Sequence, residues 1–404
     1  MIPIKEALAA IREHEPPVRN ERVLLADSLD RILTGMITAP EPLPRFTNSA
    51  MDGFAVLWSD VESVGDGAPC TLAVSGESRA GSPYGERLQP GSTVRISTGA
   101  MLPDGADTVI PVEDIENTGD LITIQTAGVK HQHVRYEGEE IAAGDVILEN
   151  GSRLTPASIG ILASLGIEQV DVSIPPTIGI VVSGHELAEP DTEVLPWQIR
   201  DSNAIMLAAA VTKAGGIVTS TGRCGDLLEE TEAAISTAAE SAQIVIVSGG
   251  VSVGPHDLVK EAAGRAGFAQ VFWRVNQKPG KPLFFATRDD RLLFGLPGNP
   301  VSALNCFAYF VHPLLQRMQG IEFIFETLPG VIRSPFKNRA DRTLFLRVAV
   351  RSDGASPVSV TPLGKQGSHM LSSMTEADGF LLLDPGVKLN AGDDVSVHLY
   401  PWRT

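Results

Sequence analysis

The spacing of apolar residues changes from region to region, and each spacing predicts a different element. Ile4, Ala7, Leu8 and Ile11 follow the helical period and predict an amphipathic helix over 3–13, stopped by Glu15-Pro16-Pro17. Residues 22–38 are mixed and apolar, and lead into Ala39-Pro40-Glu41-Pro42-Leu43-Pro44. Prolines fix φ and remove donors, so this stretch reads as an extended connector. From about 53 to 145 the short apolar runs Cys70–Val74, Thr93–Ile96, Thr108–Pro111 and Leu121–Ile124 alternate with glycine turns, which predicts a β-rich domain. Thr155–Leu165 reads as a helix with Pro156 in its first turn.

From 177 onward the pattern is α/β. Thr177–Ser183 and Gln243–Ser248 are continuous apolar runs, as strands buried on both faces should be. Strand-like runs also occupy 216–221, 270–275, 282–286 and 292–296. Between them lie helical patterns at Ser202–Lys213, Leu228–Glu240 and about 256–265, and a long one over 301–318. Asp201 or Ser202 can cap the first of these, and Gly215 lies just past its end. Such alternation implies a parallel sheet with right-handed crossovers. The tail from 328 to 404 returns to strands at Arg342–Val350, Val358–Thr361, Phe380–Leu383 and Asp394–Leu399. The expected organisation is an N-terminal region 1–175 carrying the β-rich stretch, an α/β domain 176–322 and a small C-terminal β domain 328–404.

Composition narrows the class. A chain of 404 residues exceeds what one core usually serves. Abundant Gly (39) and Pro (28) with few aromatics point to many tight turns. A net charge of −17 argues against nucleic acid and acidic membrane as partners. Small anions stay open to it, because a local cation cluster outweighs a bulk field screened within about 8 Å. Cys70, Cys224 and Cys306 form no CxxC pair, so neither a disulfide framework nor a cysteine-built zinc site is expected, and a reducing cytoplasm fits. Neither a signal peptide nor an apolar run of roughly 18 residues is visible, and no membrane span is expected.

Six segments carry candidate chemistry. In Ser248-Gly249-Gly250-Val-Ser252-Val-Gly254, a buried strand ends in a glycine loop whose N–H groups can cradle a phosphate, and Asp257 at the rim could hold Mg²⁺. A plain strand-to-helix turn explains the same residues. Lys278-Pro279-Gly280-Lys281-Pro282 presents two lysines on a loop stiffened by prolines, suited to an oxyanion at little ordering cost, or simply two solvated lysines. Gly295-Leu-Pro297-Gly-Asn299-Pro300-Val301 opens the long helix, with Asn299 suited to the cap and Pro300 to the first helical position. An exposed helix N-terminus beside the crevice is the functional alternative. Asn48–Ala55 reads as a turn containing Asp52, and Ser97–Asp107 places Thr98 on another turn. Ser183-Gly-His185-Glu186-Leu187 sets Glu186 at the carboxyl edge of a strand, where Glu186, Asp226 and Asp257 could share a divalent cation or serve as caps.

Together and in this order, the segments resemble the molybdopterin molybdenumtransferases, the MoeA family that includes the E domain of gephyrin. The resemblance rests on Pro44–Ala55, Thr98–Asp107, Asp201-Ser202-Asn203, Ser248–Asp257, Lys278–Pro282, Leu296–Pro300, Arg347 and Gly367-Ser368. It implies a multi-domain fold in which an inserted β domain, a central parallel-sheet molybdopterin-binding α/β domain and a small barrel-like β domain combine. It implies an elongated homodimer with a cleft shared between subunits, and insertion of molybdate into adenylylated molybdopterin with Mg²⁺ and release of AMP. Lys278, Lys281, Arg347 and Ser368 would then hold molybdate. Ser248, Gly249, Gly250, Ser252, Pro297, Asn299 and Pro300 would meet the pterin or its phosphate. Glu186, Asp226 and Asp257 would handle the metal and the pyrophosphate, with Asp52 and Thr98 completing the catalytic set. A separate adenylyltransferase would deliver the substrate. The chain departs from the family at His185, where an acid is usual, and at Glu140, where Asp is more usual. A relative of CinA type and a non-catalytic pterin carrier or scaffold are the alternatives. The two flanking β regions argue against the first, and the lack of a linked second module argues against a scaffold.

Overall fold

The computed structural model describes residues 1–64, 69–252, 258–352, 354 and 357–403. These form two compact units: Met1–Arg22, Arg31–Thr34 and Asp171–Thr404 make one, and Val23–Asp30 with Gly35–Val170 make the other. The chain begins in the first with helix α1 (Ile4–Glu13), which buries Ala7 and Ile11 as its apolar period requires.

The second unit is built on a sheet of β1 (Gly53–Val56), β2 (Cys70–Ser78), β3 (Ser92–Ile96), β4 (Thr108–Pro111), β5 (Ile115–Asn117) and β6 (Leu121–Ile124), in the order β4-β1-β3-β2-β6-β5. Phe54, Leu72, Ile110, Ile122 and Ile124 fill its core. Strand β1 differs from the sequence expectation of a turn. All four of its residues are buried, so it lacks the alternation that would reveal a strand. A Cβ on Gly53 would lie 2.1 Å from the Ile110 carbonyl oxygen, so the pairing of β1 with β4 requires glycine there. Helix α2 (Pro156–Ser164) starts on a reciprocal cap: Thr155 Oγ1 accepts the Ser158 N–H at 3.2 Å, and Ser158 Oγ accepts the Thr155 N–H at 2.6 Å.

The first unit holds a six-stranded sheet and a barrel. The sheet contains β7 (Thr177–Ser183), β8 (Ile217–Cys224), β9 (Ile244–Ser248), β10 (Ala269–Trp273), β12 (Phe284–Arg288) and β13 (Arg291–Leu296), in the order β8-β7-β9-β13-β12-β10. A short strand β11 (Gln277–Lys278) lies outside it. Helices α3 (Asn203–Lys213), α4 (Leu228–Ser241) and α5 (Val259–Arg265) alternate with the strands. The pairs β8–β7, β7–β9 and β9–β13 are parallel, but β13–β12 and β12–β10 are antiparallel. The parallel sheet expected from the pattern holds through β8, β7, β9 and β13 and gives way to antiparallel pairing at this edge because only Asp289 and Asp290 link β12 to β13, with Asp289 at φ 52°. Two residues make a hairpin and cannot make a parallel crossover. The long helix is α6 (Pro300–Cys306) and α7 (His312–Met318) joined through a π-helical segment at Phe307–Val311.

The barrel closes through β15-β16-β14-β18-β17 and back to β15, using β14 (Thr327–Ile332), β15 (Thr343–Arg351), β16 (Val358–Pro362), β17 (Gly379–Leu383) and β18 (Asp394–Leu399). Closure leaves no open sheet edge in this ring. Its interior is Ile332, Leu346, Val348, Val360, Leu381 and Val397, while Phe345, Phe380 and Tyr400 join the core of the α/β sheet and its helices. Strand β11 pairs with the start of β15, Gln277 opposite Thr343 and Lys278 opposite Leu344, which brings the lysine loop to the barrel. No helix among the described residues is long and apolar enough to cross a membrane.

Candidate anion-binding cleft

Three loops meet where the α/β sheet adjoins the barrel, and they line one cleft of about 1300 Å³. The first is the lysine loop. Gln277 is buried beneath it and donates Nε2–H to the Gly280 carbonyl at 3.0 Å. The Lys278–Pro279 bond is cis, and Gly280 sits at φ 92° with Cys306 Sγ only 2.5 Å from where a Cβ would stand. Lys278 and Lys281 both line the cleft above this buried floor.

The second loop is Pro297–Pro300, at the carboxyl end of β13. Asn299 occupies the cap position of α6, with Pro300 first in the helix, but its side chain makes no cap bond. It instead donates Nδ2–H to Ser368 Oγ at 3.1 Å, and the Val301 N–H goes to the Ser368 carbonyl at 3.2 Å. The helix start expected to face a ligand is therefore partly consumed by the third loop, Lys365–His369. Ser368 Oγ accepts from Asn299, which leaves its own proton free for an acceptor in the cleft.

Arg347 stands behind that third loop. It is 1% exposed, and Nη2 donates to the carbonyls of Lys365 at 3.0 Å and Gly367 at 3.2 Å. Its Nε and Nη1 have no partner among the described residues. Burial depresses its pKa, an effect partly offset by Tyr400. Tyr400 is itself fully buried and donates to Asn305 Oδ1 on α6 at 2.7 Å. The structure therefore brings Lys278, Lys281 and Ser368 to the cleft wall, and places Arg347 beneath the backbone that carries Ser368.

Of the glycine-loop residues, Ser252 lines the cleft, and so do Pro297 and Asn299. Ser248 lies underneath: its Oγ accepts from Asn203 Nδ2 at 2.9 Å and donates to the Pro297 carbonyl at 3.4 Å. Asn203 also donates to the Gly298 carbonyl at 2.7 Å, so the start of α3 ties the two loops together. Asp201 supports it, accepting the N–H groups of Asn203 and Ala204 at 2.9 and 3.1 Å; the cap side chain is thus Asp201, and Ser202 makes no cap bond. Gly249 has φ 101°, and a Cβ there would lie 2.6 Å from the Ser183 carbonyl oxygen. Gly249→Ala should cost about 2 kcal/mol or more from backbone strain and overlap. Gly222→Ala, in the same sheet with open space around it, should be near neutral. Thermal melts of the two variants compare them, and equal midpoints would refute the strain account.

Glu186 and Asp226 sit in neighbouring loops after β7 and β8. His185 Nε2 accepts the Asp226 N–H at 3.1 Å, so its ring proton belongs on Nδ1 and the histidine fastens the two loops. These loops border a second hollow of about 660 Å³ lined by Gly184, His185, Gly225 and Glu230. Asp257 lies outside the described residues, and among those described no three His, Cys, Asp or Glu side chains converge as a metal cluster. Asp52 and Thr98 belong to the other compact unit. Asp52 Oδ1 accepts the Thr98 N–H at 2.6 Å and its hydroxyl at 3.0 Å, which holds the carboxyl below its usual range.

The opposite wall went unnoticed in the sequence. Pro335–Arg342 contributes Lys337, Arg339 and Arg342 to the same cleft, with His369 beside Ser368. The only sequence signal was three cations within Lys337-Asn-Arg339-Ala-Asp-Arg342 of a strongly acidic chain.

A parallel-sheet edge opening onto a cationic cleft beside a small barrel defines an α/β protein whose candidate site has the charge to suit anionic small molecules. Family models match nearly end to end: the MoeA N-terminal region (domains I and II) at residues 2–166, a probable molybdopterin binding domain at 179–317, and the MoeA C-terminal region (domain IV) at 329–400. The chain is 35% identical over 403 residues to a molybdopterin molybdenumtransferase of Haemophilus influenzae, covering 98% of each chain. It is 31% identical to that of Bacillus subtilis, covering 99% of this chain and 96% of the relative. A crystal structure of a molybdopterin biosynthesis MoeA protein from Pyrococcus horikoshii superposes with a TM-score of 0.86 at 30% identity, covering 99% of both chains. The chain belongs to the molybdopterin molybdenumtransferase family, a family of transferases.

Proposed function

We propose that this chain acts in molybdenum-cofactor biosynthesis as a molybdopterin molybdenumtransferase, inserting molybdate into adenylylated molybdopterin with release of AMP in a Mg²⁺-dependent reaction. The observation that carries the reading is the meeting of Lys278, Lys281, Asn299 and Ser368, from three segments far apart in the chain, on one cleft beside Ser252. Molybdate is a dianion, and stripping its water beside a dithiolene requires fixed cations and donors. Lys278 and Lys281 supply the charge, and Ser368 supplies a hydroxyl already oriented by Asn299. Arg347 acts through the loop, gripping two carbonyls of Lys365–Gly367 and placing a buried positive charge behind Ser368.

The adenylyl anhydride is cleaved by addition of water, giving AMP and the phosphorylated pterin. Mg²⁺ commonly binds through one or two carboxylates together with substrate phosphates. Glu186 and Asp226, in loops fastened by His185, fit that role as a pair, with Asp257 as the third candidate. Bound there, the ion would offset charge on the phosphates. Asp52 and Thr98, which lie in the other compact unit, stay in the catalytic set of this reading on the family resemblance alone. A cytoplasmic homodimer supplied by a separate adenylyltransferase goes with it. The unpaired state of Cys70, Cys224 and Cys306 supports the compartment, and exposed Leu195, Trp197, Ile199 and Ile205 support a partner surface.

Purified protein given adenylylated molybdopterin, Mg²⁺ and molybdate should release AMP in a molybdate-dependent manner and yield cofactor that activates a molybdenum enzyme. Pterin binding without molybdate-dependent AMP release would replace this reading with that of a carrier.

A further inference from the structure

We propose that the cleft contains a second anion subsite, built on Lys337 and Arg339, that takes a phosphate group of the organic substrate while Lys278 and Lys281 hold the free metal oxyanion. This rests on the reading above and extends it to how the two substrates are kept apart. The first observation is size. Pockets of about 300–1,000 Å³ hold organic ligands, and a cleft of about 1300 Å³ leaves ample room beyond a four-oxygen anion.

The second observation is unbalanced charge. Of the three cations on the Pro335–Arg342 wall, Arg342 is neutralised by Asp341, with Nε to Oδ1 at 2.7 Å and Nη2 to Oδ2 at 2.9 Å. Asp341 is held below the usual carboxylate range, first by Arg342, with Lys281 adding to the effect. Among the described residues, Lys337 and Arg339 form no ion pair. Lys337 moreover stands directly opposite Lys388 in a two-stranded ladder. Like charges so placed destabilise a sheet. In a chain with 49 acids and 32 basic residues, partners for these cations would be easy to supply, yet the cleft leaves them open.

The third observation is preorganisation. Between the two cations lies Asn338, 1% exposed. The two protons of its Nδ2 are shared among the carbonyls of Arg342, Leu383 and Asp384 at 3.0, 2.9 and 3.1 Å, and its Oδ1 accepts the Ala340 N–H at 2.9 Å. The backbone on either side is therefore fixed, and a ligand pays little to order it.

Asp341, two residues beyond Arg339, also lines the cleft, and the charge of Lys281 reaches its carboxylate. A guanidinium fork beside an ammonium matches the oxygens of a phosphate ester. Chemically, the ligand is a phosphate or pyrophosphate group on an organic scaffold.

Calorimetric titration of the full chain with pyrophosphate and, separately, with molybdate tests this. Lys337→Gln combined with Arg339→Gln alters two exposed side chains. It should weaken pyrophosphate binding about tenfold or more and change molybdate binding less than about threefold, the loss of one or more charge-assisted bonds. The pair Lys278→Gln and Lys281→Gln should show the opposite preference. Absence of pyrophosphate binding in the wild type, unchanged pyrophosphate binding in the Lys337/Arg339 variant, or equal loss of both anions in that variant would each overturn the subsite. Wild-type protein that binds pyrophosphate through Lys337 and Arg339 but fails to bind molybdate would leave the subsite standing and remove the metal-insertion reading.

Discussion

Alanine at both Lys278 and Lys281 is expected to lower molybdate affinity by at least about a hundredfold while leaving the melting temperature unchanged. Each lysine offers a charge-assisted hydrogen bond to a dianion, worth about 1.5–3 kcal/mol, and every 1.4 kcal/mol is about tenfold in affinity. Folding should not suffer, because Lys278 is exposed and neither lysine forms an ion pair among the described residues. The loop is shaped by Gln277, Gly280 and the backbone pairing of β11 with β15, and side-chain truncation at Lys278 leaves that backbone pairing in place. Titration of variant and parent with molybdate, alongside thermal melts, measures both halves. Affinity within threefold of the parent would mean that the oxyanion is gripped elsewhere and would remove these lysines from the site.

The second large effect is expected at a residue that need touch no ligand. Asn338→Leu preserves approximate volume but strips the Nδ2 and Oδ1 hydrogen bonds from the base of the Lys337–Arg342 wall. The Arg342 and Leu383 carbonyls and the Ala340 N–H would lose their Asn338 partner, while the Asp384 carbonyl keeps the Val387 N–H. Unsatisfied buried groups cost about 1–3 kcal/mol each, and partial relaxation brings the expected total to about 3–5 kcal/mol. The barrel shares its core with the α/β sheet and its helices, so the loss should appear as a lower melting transition for that whole unit. A melting point within a degree of the parent would show that Asn338 is not the keystone of the wall.

The separation between what could be read in the chain and what could not follows the range of the interactions. Buried strands such as Thr177–Ser183 were legible because four or more consecutive apolar residues have few other uses. The antiparallel edge of the same sheet was not, because strand direction is set by pairing, and only the brevity of Asp289-Asp290 hinted at it. Strand β14 was missed because Pro329 and Gly330 interrupt its apolar run, though both are accommodated in the ring.

In the cleft, the proline-stiffened lysine loop and the Pro297–Pro300 helix start were visible as unusual local composition. Their neighbourhood with Ser368 was available only through family resemblance. Arg347 shows the limit: arginine is usually exposed, and nothing in Thr343–Arg351 announces that its guanidinium lies 1% exposed beneath a loop about twenty residues away. Lys337 and Arg339 show the same limit from the other side, since an isolated surface cation looks identical in sequence whether or not it faces a cleft.

By itself, then, the sequence determined the periodic elements, the two β regions flanking an α/β core, and the loops whose glycines and prolines restrict the backbone. These depend on neighbours a few residues apart. Tertiary structure alone decided which loops share a cleft, that Asn299 serves Ser368 rather than its own helix, and which cations are neutralised. Such outcomes depend on pairs tens to hundreds of residues apart, brought together by sheet order and barrel closure, and local spacing carries no record of them.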